Sequence, residues 1–446
     1  MGSSAGSTDE TWTELFNRAI RRRQFLAGAG SAIFVGATGA VLDACGLGNS
    51  TQSTAGGVRT ISLAHDQASW KDYYQAVSDA ASKSIGVQWK QIPFGAVDVF
   101  RATLLSEAAT HSVPDTFGWF TGFEMKAMAA PGYLEDLSSI WEAESAGFSA
   151  GLRSIFSYNG KAVAAPLLGA PWIIYYNKQI FSKYNLNPPT SLDDFEQLLP
   201  KLKSAGVIPL GGSVDWATAW PQSLIVATDA QLWTDLMANR AKWTDSRIVD
   251  AMNIWRGWLE KGYFPPDPSS VHYGGPNGNS FASMFVQNKV AMTAMATWYG
   301  PSVSGFTAGT DFDGFIMPSV GSGGKKGIVV ETAALCVGHN GQHKSDALAM
   351  AKFFMSKQGY ETWIKASGNT SVRTDVPSTS PVDAKIVKDM SSGGYTAVDR
   401  IFEATPLDIA LAANDEWGKF ILKPGDPMPT LQRIQAKADQ VWATNP

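Results

Sequence analysis

The chain has 446 residues, 44% hydrophobic and 17% charged, with a formal net charge of −4. That length exceeds one ordinary core and predicts two lobes, and the composition excludes large-scale disorder beyond residue 57. The slight acidity, with no block of like charges, excludes nucleic acid as a partner, because phosphate binding demands a basic surface.

The N-terminus reads as an address label. Arg21-Arg22-Arg23-Gln24-Phe25-Leu26 opens an uncharged Ala- and Gly-rich stretch that runs to Val41, followed by Leu42-Asp43-Ala44-Cys45. A basic region, a short apolar region and a small residue before the cut make a secretion signal. The paired arginines resemble the twin-arginine export motif. Leu42 to Cys45 resembles a lipobox, which would make Cys45 a lipidated N-terminus, although Asp43 is atypical there; an uncut signal anchor is the competing reading. Residues 1–45 are thus assigned to the signal, and the small, polar residues 46–57 to a flexible tether. With Cys45 lipidated, only Cys336 of the two cysteines remains. No intramolecular disulfide can then form, and the apolar run around Cys336 predicts a buried, inert thiol.

Along the mature chain, Val58 to Ala64 and Val87 to Ile92 read as strands, and Trp70 to Lys83 and Val97 to Thr110 as helices. Pro114 to Gly118 is a short strand, and Glu124 to Ala130 a helix ended by Pro131-Gly132. Alternating strands and helices imply a mostly parallel sheet, and ligands bind beyond the carboxyl ends of such strands. The loops there carry His65-Asp66, Pro93-Phe94 and Trp119-Phe120. Two further strands are expected at Ala162 to Pro166 and Trp172 to Asn177. Ser191 with Asp194 three residues on starts a helix that buries Phe195, Leu198, Leu199 and Leu202. Residues 220–264 read as a helical layer packed by Trp233, Trp243, Trp255 and Trp258. Asp346 to Ala366 reads as one long amphipathic helix.

Four segments together resemble the extracellular solute-binding proteins for sugars, the group that includes maltose-binding protein. They are Val113-Pro114-Asp115 with Gly118-Trp119; Tyr158-Asn159-Gly160-Lys161 running through Ala165-Pro166 and Ile174-Tyr175-Tyr176-Asn177-Lys178 to the helix start at 188–195; Phe285-Val286-Gln287-Asn288-Lys289-Val290-Ala291-Met292 ending at Trp298; and Ser345-Asp346-Ala347-Leu348-Ala349 followed by Arg373. The resemblance spans roughly residues 58–375. It implies an α/β, two-lobed, periplasmic-binding-protein-like fold with the ligand cleft between the lobes. The implied division is lobe 1 at 58–168 and 299–340, and lobe 2 at 169–298 and 341–446. Crossovers are placed near 166–171 and 297–302.

A pyranose has hydroxyls around its edge and apolar C–H patches on its faces, so its site needs aromatic rings and planar polar groups. The candidate rings are Trp119, Trp172, Trp216, Trp298 and Tyr299. Trp298 leads them, because the family places a stacking Trp after the Gln-Asn-Lys-Val-Ala-Met segment. Asp66, Asp215, Glu331 and Arg373 are the candidate edge groups, with His65 beside Asp66. The competing reading for each ring is core packing, and for each charge a solvated surface.

These residues predict the extracytoplasmic binding component of an ABC importer, a monomer working with membrane permease subunits, taking a neutral di- or oligosaccharide and needing no cofactor or metal. A glycerol phosphodiester or other small polar solute is the nearest alternative. A secreted carbohydrate-active enzyme or a surface adhesin is the next. From residue 58 on, enzyme motifs are missing: there is no Gly-x-Ser-x-Gly, no His-Glu-x-x-His and no phosphate loop. His339 and His343 sit four apart, but Gly341 between them suggests a turn rather than a metal-binding helix face.

Overall fold

The structure, a computed structural model, describes residues 57–444 apart from 150, 275 and 276. The expected export signal, Cys45 and nearly all of the expected tether lie outside those residues.

Nine strands form one sheet: β1 (Arg59–His65), β2 (Val87–Pro93), β3 (Thr116–Phe120), β4 (Ala165–Asn177), β5 (Ile208–Gly211), β6 (Val290–Ala296), β7 (Phe312–Phe315), β8 (Gly327–Val337) and β9 (Thr396–Asp399). Their order is β2-β1-β3-β8-β4-β6-β5, with β9 added to β8 and β7 to β4. β1 runs parallel to β2 and β3, as strands joined by helical crossovers do. β8 runs antiparallel to both β3 and β4.

The apolar side chains divide into two cores. One gathers residues 61–167 and 334–376; the other gathers 168–329 and 382–441. β4 changes core at Leu167/Leu168, and β8 changes between Val329 and Ala334. A third passage falls between Val376 and Val382. The second crossover is thus on β8, not at 297–302, and the chain returns to lobe 1 near 334 rather than to lobe 2 near 340. Residues 299–329 belong to lobe 2. The reason is burial: Tyr299, Val303 and Phe312 pack in the second core, and Leu335, Phe354 and Trp363 in the first.

Two elements differ from the sequence reading. The strands expected on either side of 167–171 are one continuous 13-residue strand, β4, buried along its whole length. The long helix expected at 346–366 is two, Lys344–Met355 and Lys357–Ser367, broken where the Ser356 side chain accepts the Gly359 N–H at 3.2 Å. By contrast, Ser191 and Asp194 form the expected capping box at the start of Leu192–Ser204, which satisfies two otherwise unpaired N–H groups. In the helical layer Trp233, Trp243, Trp255 and Trp258 are all at most 2% exposed.

Candidate functional site

Trp298 lies just past the end of β6, in the turn Thr297–Ser302. Trp216 lies on the loop after β5, and Trp172 on β4 one residue beyond its last pairing with β8. These three loops and strand ends belong to lobe 2 and converge at the hinge. The rings form a row: Trp172 to Trp216 is 6.0 Å between centroids, and Trp216 to Trp298 is 5.5 Å. Trp216 and Trp298 are half-buried, whereas Trp172 is 3% exposed and backs the row. The Trp172 indole N–H is buried and makes no hydrogen bond within the protein.

Glu331 connects this row to a buried ionic cluster. Its Oε2 accepts the Trp298 indole N–H at 2.9 Å, and its Oε1 meets Arg400 Nη1 at 3.2 Å. Arg400 also pairs with Glu403 at 2.6 Å. From lobe 1, Asp66 follows β1, while Arg101 holds Glu124 with two bonds of 2.7 and 2.9 Å and lies 4.1 Å over the Phe120 ring. Burial raises the pKa of Asp66; Arg101 works against that shift and Glu331 adds to it. Burial likewise raises Glu124 and Glu403, while Arg400 is held charged by Glu331 and Glu403. Four carboxyl groups, Asp66, Glu124, Glu331 and Glu403, therefore share two guanidinium groups. Carboxyl groups so placed offer acceptors to hydroxyl groups.

The other candidates are placed differently. Asp215 stands exposed beside Trp216 with its carboxylate 2.7 Å from His272 Nδ1. His65 is fully buried, its ring 4.6 Å from Tyr74 and its Nε2 3.2 Å from Gln91 Oε1, because the last residue of β1 turns inward. Trp119 is 3% exposed and packs on Phe100 and Phe117, donating its indole N–H to the Glu124 carbonyl. Tyr299 is 1% exposed against Tyr273 and Phe281, with its hydroxyl on Asn279. Arg373 is buried in lobe 1 between Glu144 and Asp375. These four, expected at the ligand, are packing and ion-pair residues. Cys336 is fully buried, and burial pushes its thiol up and keeps it inert. Among the described residues there is no group of side chains arranged to hold a metal ion.

Sequence reasoning missed Arg101, Glu124, Arg400 and Glu403. Arg400 and Glu403 stand three apart around two apolar residues, which is a signal for a paired charge in an otherwise buried helix start.

Comparison with known proteins agrees with this architecture. The family model for bacterial extracellular solute-binding proteins matches residues 75–389. A probable sugar-binding periplasmic protein of Mesorhizobium japonicum is 28% identical over 306 residues, covering 66% of this chain and 71% of that one. The glucose-binding protein GlcS of Saccharolobus solfataricus is 26% identical over 231 residues, covering 47% of this chain and 40% of that one. Among solved structures, the bacterial solute receptor AcbH, described as preferring β-D-galactopyranose exclusively, superposes with a TM-score of 0.77 at 17% identity, covering 86% of this chain and 100% of that one. A chitin oligosaccharide binding protein superposes with a TM-score of 0.74 at 18% identity, covering 86% and 99%. At such identity the structural likeness shows the two-lobed fold. The family match spans more than half of the sequence, and the chain belongs to the bacterial extracellular solute-binding protein family. That family consists of exported binding proteins rather than enzymes, which sets aside the carbohydrate-active enzyme alternative.

Proposed function

We propose that this member of the extracellular solute-binding family captures a neutral carbohydrate, a di- or oligosaccharide, between its lobes and delivers it to the membrane permease subunits of an ABC importer. The observation that carries this reading is the row of Trp172, Trp216 and Trp298 ending on a carboxylate-rich cluster. Flat rings suit the C–H faces of a sugar, and carboxylates accept its hydroxyl protons. Arg101 and Arg400 are both engaged by carboxylates of the protein, which leaves neither free to pair with a phosphodiester. The names of the galactopyranose receptor and the chitin oligosaccharide binding protein point to the same ligand class.

In this reading Trp216 and Trp298 stack on the ligand, with Trp172 supporting them, while Asp66, Glu331 and the rim residue Asp215 hold its edge. Because Asp66 and Arg101 come from lobe 1 and the rings from lobe 2, the site is complete only when the lobes meet, and ligand closes the hinge. The protein works as a monomer, held at the outer face of the cytoplasmic membrane by lipid on Cys45 and by the 46–57 tether. No helix among the described residues is long and apolar enough to cross a membrane.

The test is a thermal-shift panel of galactose, raffinose and chitobiose against glycerophosphoglycerol and glucuronate. A ligand that binds only the folded state stabilises it by about 2.7 kcal/mol at a hundred times its Kd. A neutral sugar is expected to raise Tm in a concentration-dependent way. A rise with glycerophosphoglycerol or glucuronate and none with the neutral sugars would overturn the reading.

A further inference from the structure

The tryptophan row has a carboxylate at each end, and the two ends differ. At the inner end Glu331, only 14% exposed, takes the Trp298 indole N–H and is held by Arg400. At the outer end Asp215, directly before Trp216 in the chain, is 47% exposed. Its partner is the half-buried His272, whose Nδ1 lies 2.7 Å from Asp215 Oδ2. An ionised carboxylate only accepts hydrogen bonds, so Nδ1 carries the proton and donates. His272 is fixed on both sides of its backbone. Its N–H donates to Ser280 Oγ at 2.9 Å, and its carbonyl accepts the Phe281 N–H at 3.1 Å. The next residue, Tyr273, is buried, with its ring stacked 4.6 Å from Phe281 and its hydroxyl 2.7 Å from Thr293 Oγ1 on β6. Asp215 is pinned as well: its N–H donates to the hydroxyl of the buried Ser213 at 3.1 Å.

We propose that His272 determines specificity for ligand length: by holding Asp215 at the outer end of the row, it favours a ligand of two or more sugar units over a single one. The proposal rests on the reading of the tryptophan row as the sugar platform. A surface carboxylate ordinarily rotates freely and loses that freedom when it grips a hydroxyl. At Asp215 the imidazole has already stopped the rotation, with Oδ2 engaged and Oδ1 left to accept. Trp298 and Trp216 present two rings side by side, 5.5 Å apart between centroids. A single pyranose over Trp298 has the Glu331 end of the row for its hydroxyls. Only a ligand that extends across Trp216 brings hydroxyls to the Asp215 end. His272 acts through Asp215 and is a positioning residue. Ordering that carboxylate in advance therefore adds to the affinity of the longer ligand and nothing to that of the shorter one.

Calorimetric titrations with galactose and raffinose, and with N-acetylglucosamine and chitobiose, read this directly, because in each pair the longer sugar contains the shorter unit. His272→Ala is expected to weaken binding of the longer sugar at least about fivefold and of the shorter by less than about twofold. His272→Asn, whose amide N–H stands close to the place of Nδ1–H, is expected to recover most of that loss. In an Asp215→Ala protein, His272→Ala is expected to add little. Native affinity for the longer sugar in a folded His272→Ala protein overturns the proposal, as does equal weakening of both sugars in a pair. No recovery with His272→Asn, joined to a full further loss in the Asp215→Ala protein, overturns it too, since His272 would then act without Asp215. If the single units bind and neither raffinose nor chitobiose does, the proposal falls while the carbohydrate reading stands for a monosaccharide. If none of the four binds, both fall.

Discussion

The Trp298 indole N–H donates to Glu331 Oε2 at 2.9 Å, while the other oxygen of that carboxylate meets Arg400 at 3.2 Å. One side chain on a hinge strand thus orients the leading aromatic residue and anchors a buried arginine from the C-terminal part of lobe 2.

Glu331 has two tasks, and two substitutions separate them. Glu331→Gln keeps an acceptor for the indole and removes the charge facing Arg400. Glu331→Ala removes both. Arg400 and Glu331 are only 8% and 14% exposed, so their pairing is weakly screened. Glu331→Ala is expected to lower Tm and to weaken sugar binding more than Glu331→Gln does. Equal losses in calorimetric titrations of the two variants would mean that the indole contact contributes nothing.

Trp298 itself is half-buried, with one face on Trp216 and an edge on Tyr299. Losing a stacking ring from a desolvated site costs on the order of 2 kcal/mol, a factor of about 30 in affinity. Truncating a core Trp costs roughly 3–5 kcal/mol of stability instead. Trp298→Ala is expected to weaken sugar binding at least about tenfold with little change in the Tm of the sugar-free protein. Native affinity in a folded variant would remove the stacking role. A large fall in Tm would make Trp298 a core residue and leave Trp216 as the leading ring.

The two-lobed fold was legible because local signals agree with it: the capping box at Ser191, the strand periodicity of β1 and β2, and the buried tryptophans of the helical layer. The hinge was harder to read. Pro166, Gly169 and Pro171 look like breakers, yet they lie inside β4. Pro171 is the last residue of β4 to pair with β8, and Trp172 is the first to pair with β6. Pro166 sits beside the register shift at Ala333/Ala334. A residue without an N–H is tolerated where a ladder changes partner or bulges. Among the candidate site residues, Trp216 and Trp298 are brought together as their strand-end and loop positions suggested, and Glu331 joins them from within β8. The partners of Glu331 were not legible, because Arg400 is 69 positions away and only tertiary packing joins them. His65 and Trp119 misled for a simpler reason: a residue at a strand end can point inward as readily as into the cleft.

Membrane attachment has a direct test. Cys45→Ala is expected to move the protein from the membrane fraction to the medium or periplasmic wash. Continued membrane association in the variant would favour an uncut signal anchor.

The lobes also meet where Gly122, at the start of Gly122–Ala129 in lobe 1, faces the Glu403 carbonyl in lobe 2. Gly122 has φ +63°, which disfavours any side chain, and a Cβ there would collide with that carbonyl. Gly122→Ala is expected to push Glu403 and its partner Arg400 back, lowering both Tm and sugar affinity. The radius of gyration of the sugar-bound variant should exceed that of the unsubstituted protein. An unchanged sugar-bound radius would show that the glycine serves the local turn alone.

At the third passage between lobes, Thr297 of lobe 2 bonds Thr370 at 2.7 Å, and Thr370 donates to Asp383 Oδ2 at 2.8 Å. Asp383 is buried next to Tyr175, and burial raises its pKa to about 7, against the bonds from Thr370 and Ser380 that favour its charge. In the unfolded chain the same carboxyl ionises near pH 4. Between those values the folded protein keeps a proton that the unfolded chain has lost. The contribution of Asp383 is therefore fully present below about pH 4 and is lost as pH rises through about 7. Asp383→Asn keeps an acceptor for Thr370 and removes the titration. Urea denaturation at pH 5, 6, 7 and 8 should show the variant gaining on the unsubstituted protein as pH rises, by on the order of a few kcal/mol at pH 8. Taking the difference between the two proteins cancels the titrations of Glu403 and Asp66, which are raised in the same direction. Parallel stability curves would mean that Asp383 is ionised throughout, with Thr370 and Ser380 supplying enough hydrogen bonding to hold its charge inside the protein.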